Sequence, residues 1–232
     1  MHLLLTDRLT CPRCGPDFGL ILLAREVRHR RIIHGDFGCA NCRETYPVEN
    51  GFGDLRAPPR RPIRDLIRDG LGGGSSAPGD LAPVREEEAL RLGALMGVTE
   101  GPGTLLLKGP AATHAGAVAR LIGGVEVVGM DLSQWSCPED EGVSRMLASP
   151  GLPFFSHTLR AVLLSGDVED RELGEAVRVL APQGRVVLLD APSRARGHLE
   201  AEGLRILLDE AGVLVGLREE HRAQPLVTLR GP

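Results

Sequence analysis

Four cysteines form the pattern in this sequence with the most specific chemistry. They occur as two pairs, each with two residues between its cysteines: Cys11 and Cys14 in CPRCG, and Cys39 and Cys42 in CANC, with 24 residues separating the pairs. Two such pairs supply four thiolates, which is a ligand set of tetrahedral zinc. Because four sulfurs fill the coordination shell and leave no position for a substrate, we expect this zinc to be structural rather than catalytic.

Other interpretations of these cysteines are possible. Two disulfides would suit a secreted protein, but the N-terminal apolar stretch is too short for a signal peptide and has no small-residue cleavage site. His29 or His34 could replace one thiolate, although four cysteines already complete the set. Cys137 has no paired cysteine and is predicted to be a lone thiol. We therefore expect a zinc protein in the cytoplasm.

A second stretch, TLLLKGPAATHAGAVARLI at residues 104–122, reads as a buried strand, a turn and a helix. Doubly wound folds place a nucleotide at such a turn, against the helix N-terminus. Glycines are needed there because a Cβ atom blocks close approach of the backbone and many of the positions take a positive φ. The turn contains one glycine, Gly109, which raises the question of whether the fold has kept its ligand.

Length and composition indicate a small module joined to an ordinary domain. The chain has 232 residues, of which 42% are apolar, and no apolar run long enough to span a bilayer. Two β-prone runs between the cysteine pairs can form the hairpin of a zinc ribbon. We predict a zinc ribbon over residues 1–57, a Pro/Gly/Ser-rich linker with a possible short helix over 58–82, and an α/β domain over 83–232.

Short apolar strands alternate with amphipathic helices from Leu81 onward. This alternation predicts an α/β fold with a doubly wound, mostly parallel sheet that is covered on both faces. Two closely spaced strands near the end, at 212–219 and 225–231, are expected to form an antiparallel hairpin. Helical spacing also predicts three groups of apolar residues on helix faces: Val118, Leu121 and Ile122; Leu173, Ala176, Val177 and Leu180; and Leu204, Leu207, Leu208 and Ala211.

Charge is distributed unevenly along the chain. Residues 1–68 contain twelve arginines and eight acidic residues, a net charge of +4, and the remainder carries −8. We expect the ribbon to contact a partner, or its own α/β domain, through four arginines, with a solvated surface as the alternative. These are Arg25, Arg28, Arg30 and Arg31.

The first 57 residues resemble a known family. The second cysteine pair is followed by CRETYPVENGFGDLRAP, with Tyr46-Pro47-Val48, Gly51 and Asp54-Leu55-Arg56 in the family's positions. This pattern is similar to the small zinc ribbons that activate tRNA, ribosomal and release-factor methyltransferases, whose relatives occur fused to bacterial methyltransferase domains. Phe52-Gly53 stands where that family has an aliphatic residue and proline.

Residues 84–232 resemble the S-adenosylmethionine-dependent methyltransferases. The resemblance lies in a parallel sheet closed by an antiparallel hairpin and in LPFFSHTLRAVLLSG followed by ELGEAVRVLAPQGRVVLLDAP. It implies that Gly109 is a retained glycine of the cofactor loop and that Asp131 is the retained ribose-binding acid. An acid that caps the next helix is the alternative role of Asp131. The family's acid, two further glycines and adenine-binding residue are replaced by Leu107, Ala111, Thr113 and Ala148.

These losses favour a non-catalytic function. The 20 residues between Asp131 and Leu152 are too few for an ordinary helix and strand, so an element beside the cofactor is expected to be shortened. We expect the protein not to bind S-adenosylmethionine and to act in binding or assembly, with a protein partner, possible RNA contact through the basic ribbon and no membrane partner. The alternatives are an active methyltransferase acting on RNA or protein, and a nucleic-acid-binding module centred on the ribbon.

Overall fold

The computed structural model describes residues 1–69, 86–137 and 140–219. The predicted strand at 225–231 and the Gly/Ser-rich part of the predicted linker lie outside these ranges. No helix within them is long and apolar enough to cross a membrane.

The N-terminal region is an antiparallel meander of short and long strands. A 3-10 helix at Leu3–Arg8 precedes it. The hairpin predicted between the two cysteine pairs is present, because its two β-prone runs pair with each other. A short helix, α1, follows the meander at Ile63–Arg68. The strands are β1 (Thr10–Cys11), β2 (Gly15–Arg28), β3 (Arg31–Cys39), β4 (Thr45–Glu49) and β5 (Phe52–Arg56).

The second region alternates strands and helices, as its apolar pattern predicts. Its helices are α2 (Glu86–Met96), α3 (Ala115–Leu121), α4 (Asp170–Val179) and α5 (Ala195–Ala201). Its strands are β6 (Gly103–Lys108), β7 (Val125–Met130), β8 (Val143–Ser149), β9 (Leu159–Leu164), β10 (Leu180–Leu189), β11 (Arg205–Glu210) and β12 (Val213–Leu217).

Helices cover both faces of this part of the sheet. Leu105 and Leu107 of β6 pack in a core cluster with residues of α2 and α3, whereas the intervening Leu106 packs in a second cluster with residues of α4 and α5. Strands β6 to β10 pair in parallel, and β12 lies antiparallel to both β10 and β11. The predicted doubly wound, mostly parallel sheet is therefore confirmed, and its C-terminal end is antiparallel. The predicted pairing of residues 212–219 with 225–231 stays a prediction, because residues 225–231 lie outside the described ranges.

One sheet joins the two regions. In the described residues it has twelve strands, in the order β1-β2-β3-β4-β5-β8-β7-β6-β9-β10-β12-β11. Strand β5 pairs in parallel with β8, from Phe52 opposite Arg145 to Arg56 opposite Ser149. The ribbon thus covers the edge of β8 that would otherwise present unpaired backbone groups.

The predicted helix carrying Leu204, Leu207, Leu208 and Ala211 is wrong. Residues 205–210 form strand β11, in which half-buried and exposed residues alternate. Leucines at helical spacing also fit this edge strand, because its outer face tolerates an exposed Leu207. Ala211 and Gly212 both take positive φ and form the tight turn into β12. Strand β12 therefore has β10 on one side and β11 on the other, both antiparallel to it.

Two smaller expectations have different outcomes. The stretch between β7 and β8 contains, in its described residues, one 3-10 turn at Leu132–Trp135. The predicted shortening of an element in this stretch agrees with the described residues, while the cofactor position beside it stays a prediction. Val118 of α3 and Ile122, which directly follows this helix, are buried, but Leu121 is 46% exposed, so its place on the same face is wrong.

Candidate metal centre and candidate cofactor site

The four predicted cysteines lie together at one end of the meander. All four sulfur atoms lie within 4.8 Å of one another. The Cys11–Cys42 sulfur distance is 3.7 Å and the Cys14–Cys39 distance is 3.8 Å. Four sulfurs placed tetrahedrally around zinc at about 2.3 Å are about 3.8 Å apart, whereas a disulfide needs about 2.05 Å. The cluster therefore fits zinc and does not fit two disulfides.

Backbone conformation brings the sulfurs together. In each cysteine pair the residue after the second cysteine takes a positive φ, Gly15 at 95° and Arg43 at 62°. This reverses the chain around the sulfurs. The amide N–H of Arg43 donates to the carbonyl oxygen of Cys39, which closes the second turn. Among the described residues, neither His29 nor His34 belongs to the cluster.

Polar groups around the sulfurs suit a charged metal centre. The buried Tyr46 hydroxyl lies 3.3 Å from the Cys11 sulfur, and the Asn41 side-chain amide donates to the Cys14 sulfur at 3.3 Å. Burial, followed by hydrogen bonds with the neighbouring thiols, raises the pKa of the Cys42 thiol to about 12. A metal ion binding this cluster at neutral pH would therefore displace protons.

The candidate cofactor residues lie at the carboxyl ends of neighbouring strands. Lys108 pairs with Met130 across β6 and β7, so Gly109 and Asp131 follow directly at the same edge of the sheet. This is where ligands bind in open α/β sheets. The Asp131 carboxylate accepts a hydrogen bond from the Ser133 amide at 2.8 Å. It thus caps the 3-10 turn at Leu132–Trp135, in agreement with the alternative role.

Ser165 ties the loop after β6 to the end of β9. Its hydroxyl donates to the Lys108 carbonyl oxygen at 2.8 Å and accepts from the Ala111 amide at 2.9 Å. Its own amide donates to the same carbonyl. Gly109 has φ +78°, and a Cβ atom placed on it would lie 2.2 Å from the Ser165 carbonyl oxygen. The two loops therefore meet in direct backbone contact.

A buried glutamine fills the neighbouring position. The Gln134 side chain is 3% exposed, and its amide donates to the Ala112 carbonyl oxygen at 3.1 Å. A Cβ atom on Gly129 of β7 would lie 2.7 Å from the Gln134 side-chain oxygen. The turn after β7 is thus packed against both its own strand and the loop after β6.

An ion pair lies at the end of the first parallel strand. The Lys108 ammonium is 2.6 Å from the Glu172 carboxylate of α4, and both side chains are about one-fifth exposed. Leu107, which the resemblance predicts to replace the family's acid, is fully buried. Ala148 is also buried and lies within β8, opposite Leu55 of the ribbon.

The ribbon arginines have different partners. Arg31 donates to both carboxylate oxygens of Glu126 on β7, at 2.7 and 3.1 Å, so it links the ribbon to the α/β region. Arg25 and Arg28 pair with acids of the ribbon itself, Asp36 and Glu26. Of the four ribbon arginines, Arg31 therefore makes the predicted contact with the α/β region.

Trp135 lies in the small core that joins the regions. Its ring meets Phe52 of β5 edge-on, with centroids 5.3 Å apart and an interplanar angle of 75°. Both rings pack near Ile63 and Leu132. Trp135 is half-buried, and this packing holds its position at the junction.

Sequence reasoning missed the contacts of Ser165 and Gln134. In the sequence, Ser165 stands out only by its position after the fourth parallel strand, and a glutamine in a short turn carries no recognisable pattern. Each of these two side chains contacts a residue that is more than 20 positions away along the chain. Only the packing of neighbouring strands reveals them.

Comparisons with known proteins concern the fold. No protein-family model and no curated protein matches the sequence. The structure is similar to a chain from the complex between the Haloferax volcanii Trm112 methyltransferase activator and the putative methyltransferase, with 17% identity and a TM-score of 0.49, covering 69% of this chain and 99% of that one. A putative S-adenosyl-L-methionine-dependent methyltransferase from Methanococcus maripaludis has 10% identity, a TM-score of 0.49, and coverage of 72% and 99%.

The topology of the sheet and the cysteine cluster lead to one structural description. The parallel strands are covered on both faces and end in an antiparallel pair, and the four sulfurs lie at the end of a β-meander. The chain has a doubly wound α/β fold, with the parallel sheet and antiparallel end expected from the methyltransferase resemblance, and an N-terminal β-meander whose cysteine cluster fits a small zinc ribbon.

Proposed function

We propose that this protein is a non-catalytic member of the methyltransferase fold that acts by binding or assembly. The observation that carries the proposal is the contact between Gly109 and Ser165, because it brings the loops after β6 and β9 together where the family's cofactor would lie. Gln134 occupies the adjoining space between β7 and Ala112.

Electrostatics support the same proposal. In the family pose, the ammonium group of S-adenosylmethionine would meet Leu107 and Lys108 instead of an acid. A buried charge without its partner costs about 3–5 kcal/mol. Since each 1.4 kcal/mol is about tenfold in affinity, this loss alone weakens binding by about two to three orders of magnitude. The Asp131 carboxylate already accepts a hydrogen bond from Ser133.

One structural zinc ion per chain belongs to the proposal. The sulfur separations and the polar groups around them support zinc bound by Cys11, Cys14, Cys39 and Cys42. Four sulfur ligands leave no site for a substrate, so the metal would stabilise the ribbon and take no part in chemistry. A reduced cysteine cluster also supports a cytoplasmic location, where thiols stay reduced.

Calorimetric titration tests the proposal. The full chain, loaded with zinc, is titrated with S-adenosylmethionine and with S-adenosylhomocysteine, and a competent methyltransferase provides the positive control under the same conditions. We expect no binding of either compound in the micromolar range. A low-micromolar dissociation constant for either one contradicts the proposal and favours an active methyltransferase instead.

A further inference from the structure

A large cavity lies at the opposite edge of the sheet from the candidate cofactor site. It has a volume of about 630 Å³ and opens between the ribbon and the amino ends of β6 and β7. Its floor includes Gly103, Thr104, Val125 and Glu126, which begin these two strands. This volume is in the range of small-molecule sites.

Basic side chains dominate the lining of this cavity. It contains four guanidinium groups and two carboxylates. The arginines are Arg8, Arg30, Arg31 and Arg120. Burial lowers the pKa of His2, another lining residue, so positive charge at neutral pH comes from the guanidinium groups. Several cations that converge on one concave surface attract an anion.

These arginines are only partly neutralised within the described residues. Arg31 pairs with Glu126, and Arg120 pairs with Asp140 at the protein surface. Arg8 donates to the Thr158 carbonyl oxygen, which leaves its charge uncompensated. No ion pair involves Arg30 in the described part of the chain. Two of the four guanidinium groups therefore have no carboxylate partner there.

The hairpin between β2 and β3 holds Arg30 at the cavity. His29 and Arg30 form its turn and both take positive φ, 46° and 62°. Turns of this kind favour asparagine and glycine, which adopt such angles more easily. This turn therefore has a histidine and an arginine where asparagine and glycine are more usual. Both residues line the cavity.

A second cavity provides a contrast. It has about 460 Å³ and is also lined by arginines, among them Arg60 and Arg61. There, Arg60 lies 3.9 Å from Asp54, and Arg61 pairs with Asp69. Arg64, the third arginine of this lining, has no ion pair in the described residues. The larger cavity has two guanidinium groups without a carboxylate partner, against one here, so it is the stronger candidate for an external anion.

We propose that the cavity between the ribbon and the amino ends of β6 and β7 binds a phosphate-bearing ligand, either a small phosphate ester or the phosphodiester backbone of a single-stranded RNA. Guanidinium groups suit phosphate because their donors match its oxygens in pairs. Arg8 and Arg30 supply the uncompensated charge, and Arg120 lies at the rim. The site is independent of the candidate cofactor site at the other edge of the sheet.

Binding assays with charge-matched variants test this inference. Inorganic tripolyphosphate and a fluorescent single-stranded RNA of about twelve nucleotides are titrated into the zinc-loaded full chain. The test variant is Arg30→Gln with Arg120→Gln, and the control is Arg25→Gln with Arg28→Gln. Each removes two exposed arginines, but Arg25 and Arg28 do not line the cavity.

We expect the test variant to bind both probes about tenfold or more weakly, because hydrogen bonds to charged groups are strong. We expect the control variant to change the affinity by less than about twofold. Binding of tripolyphosphate but not RNA identifies a small phosphate ester. The phosphodiester is identified by two results together. Tripolyphosphate displaces the RNA, and the slope of log affinity against log salt concentration falls by about one unit for each arginine removed.

Two results overturn the inference. One is that neither probe binds the wild-type chain at millimolar concentration. The other is that both double variants lose binding equally, which indicates attraction to the ribbon's general charge. Zinc content and circular dichroism check that each variant is folded, and the single Arg30→Gln variant, changed only at the exposed turn, repeats the test with the smallest perturbation.

Discussion

Sulfur atoms from two distant turns meet at the cluster, and each of them has a different environment. Cys11 and Cys39 are buried, whereas Cys14 and Cys42 are partly exposed. Tyr46 and Asn41 place hydrogen-bonding groups beside two of the sulfurs. Such outer groups orient metal ligands and balance their charge. The buried ligands are therefore the positions where a substitution should be felt most.

Replacing one buried ligand tests the metal assignment. We expect Cys39→Ser to lower the zinc content from about one ion per chain to near zero, because zinc needs all four ligands to complete its shell. Cys137→Ser is the matched control, since Cys137 lies outside the cluster. Elemental analysis of protein purified without added metal measures both. A wild-type ribbon that is folded but contains no metal would contradict the assignment.

Loops at the carboxyl ends of the parallel strands are packed against each other. Ser165 joins the ends of β6 and β9, and Gln134 joins the turn after β7 to the loop after β6. Gly109 permits the first of these contacts because it has no Cβ atom and adopts a positive φ. Gly109 therefore has a structural role in joining the two loops, independent of any ligand.

Two alanine substitutions test whether the contact between Gly109 and Ser165 requires a glycine. Gly109→Ala places a Cβ atom against the Ser165 carbonyl oxygen and forces a non-glycine residue to positive φ, so we expect a destabilisation of about 2 kcal/mol or more. Gly123→Ala is the control, because a Cβ atom added at Gly123 would have no neighbouring atom within 4 Å. Denaturant unfolding measures both. Equal stabilities would mean that the loops after β6 and β9 separate easily.

Across the whole molecule, one sheet makes the ribbon and the α/β region depend on each other. Strand β5 hydrogen-bonds along β8, and Arg31 joins Glu126 across the junction with both side chains 15% exposed. Trp135 packs against Phe52 at the same junction. Loss of the ribbon would expose the edge of β8 and remove a wall of the small core.

Removing the metal tests this dependence. We expect a strong chelator to lower the stability of the entire chain by several kcal/mol, because zinc binding contributes directly to the folding of small zinc modules. Trp135 fluorescence reports the junction and far-ultraviolet circular dichroism reports the whole chain. Both signals should shift together to lower denaturant concentration. If only the ribbon unfolds and the Trp135 transition is unchanged, the two regions are independent.

Local patterns in the sequence determined the metal cluster and most of the elements. The spacing of the cysteine pairs predicted the cluster, which is confirmed, while the zinc ion itself stays a prediction. Alternating apolar strands and helices predicted the doubly wound sheet, because burial on both faces produces that pattern. The departures from the methyltransferase pattern around Gly109 are predicted from the sequence alone. The cofactor roles of Gly109 and Asp131 stay predictions.

Contacts between distant residues were decided only by the tertiary structure. Pairing of β5 with β8 depends on backbone groups, which carry no side-chain signal. The leucine spacing at residues 204–211 fitted a helix, and only the pairing with β12 made these residues an edge strand. Ser165 closes the loop after β6, and the arginines around the large cavity come from the N-terminal segment, the β2–β3 turn and α3. Such groups meet because the chain folds back on itself, and sequence patterns report only the residues that are near one another along the chain.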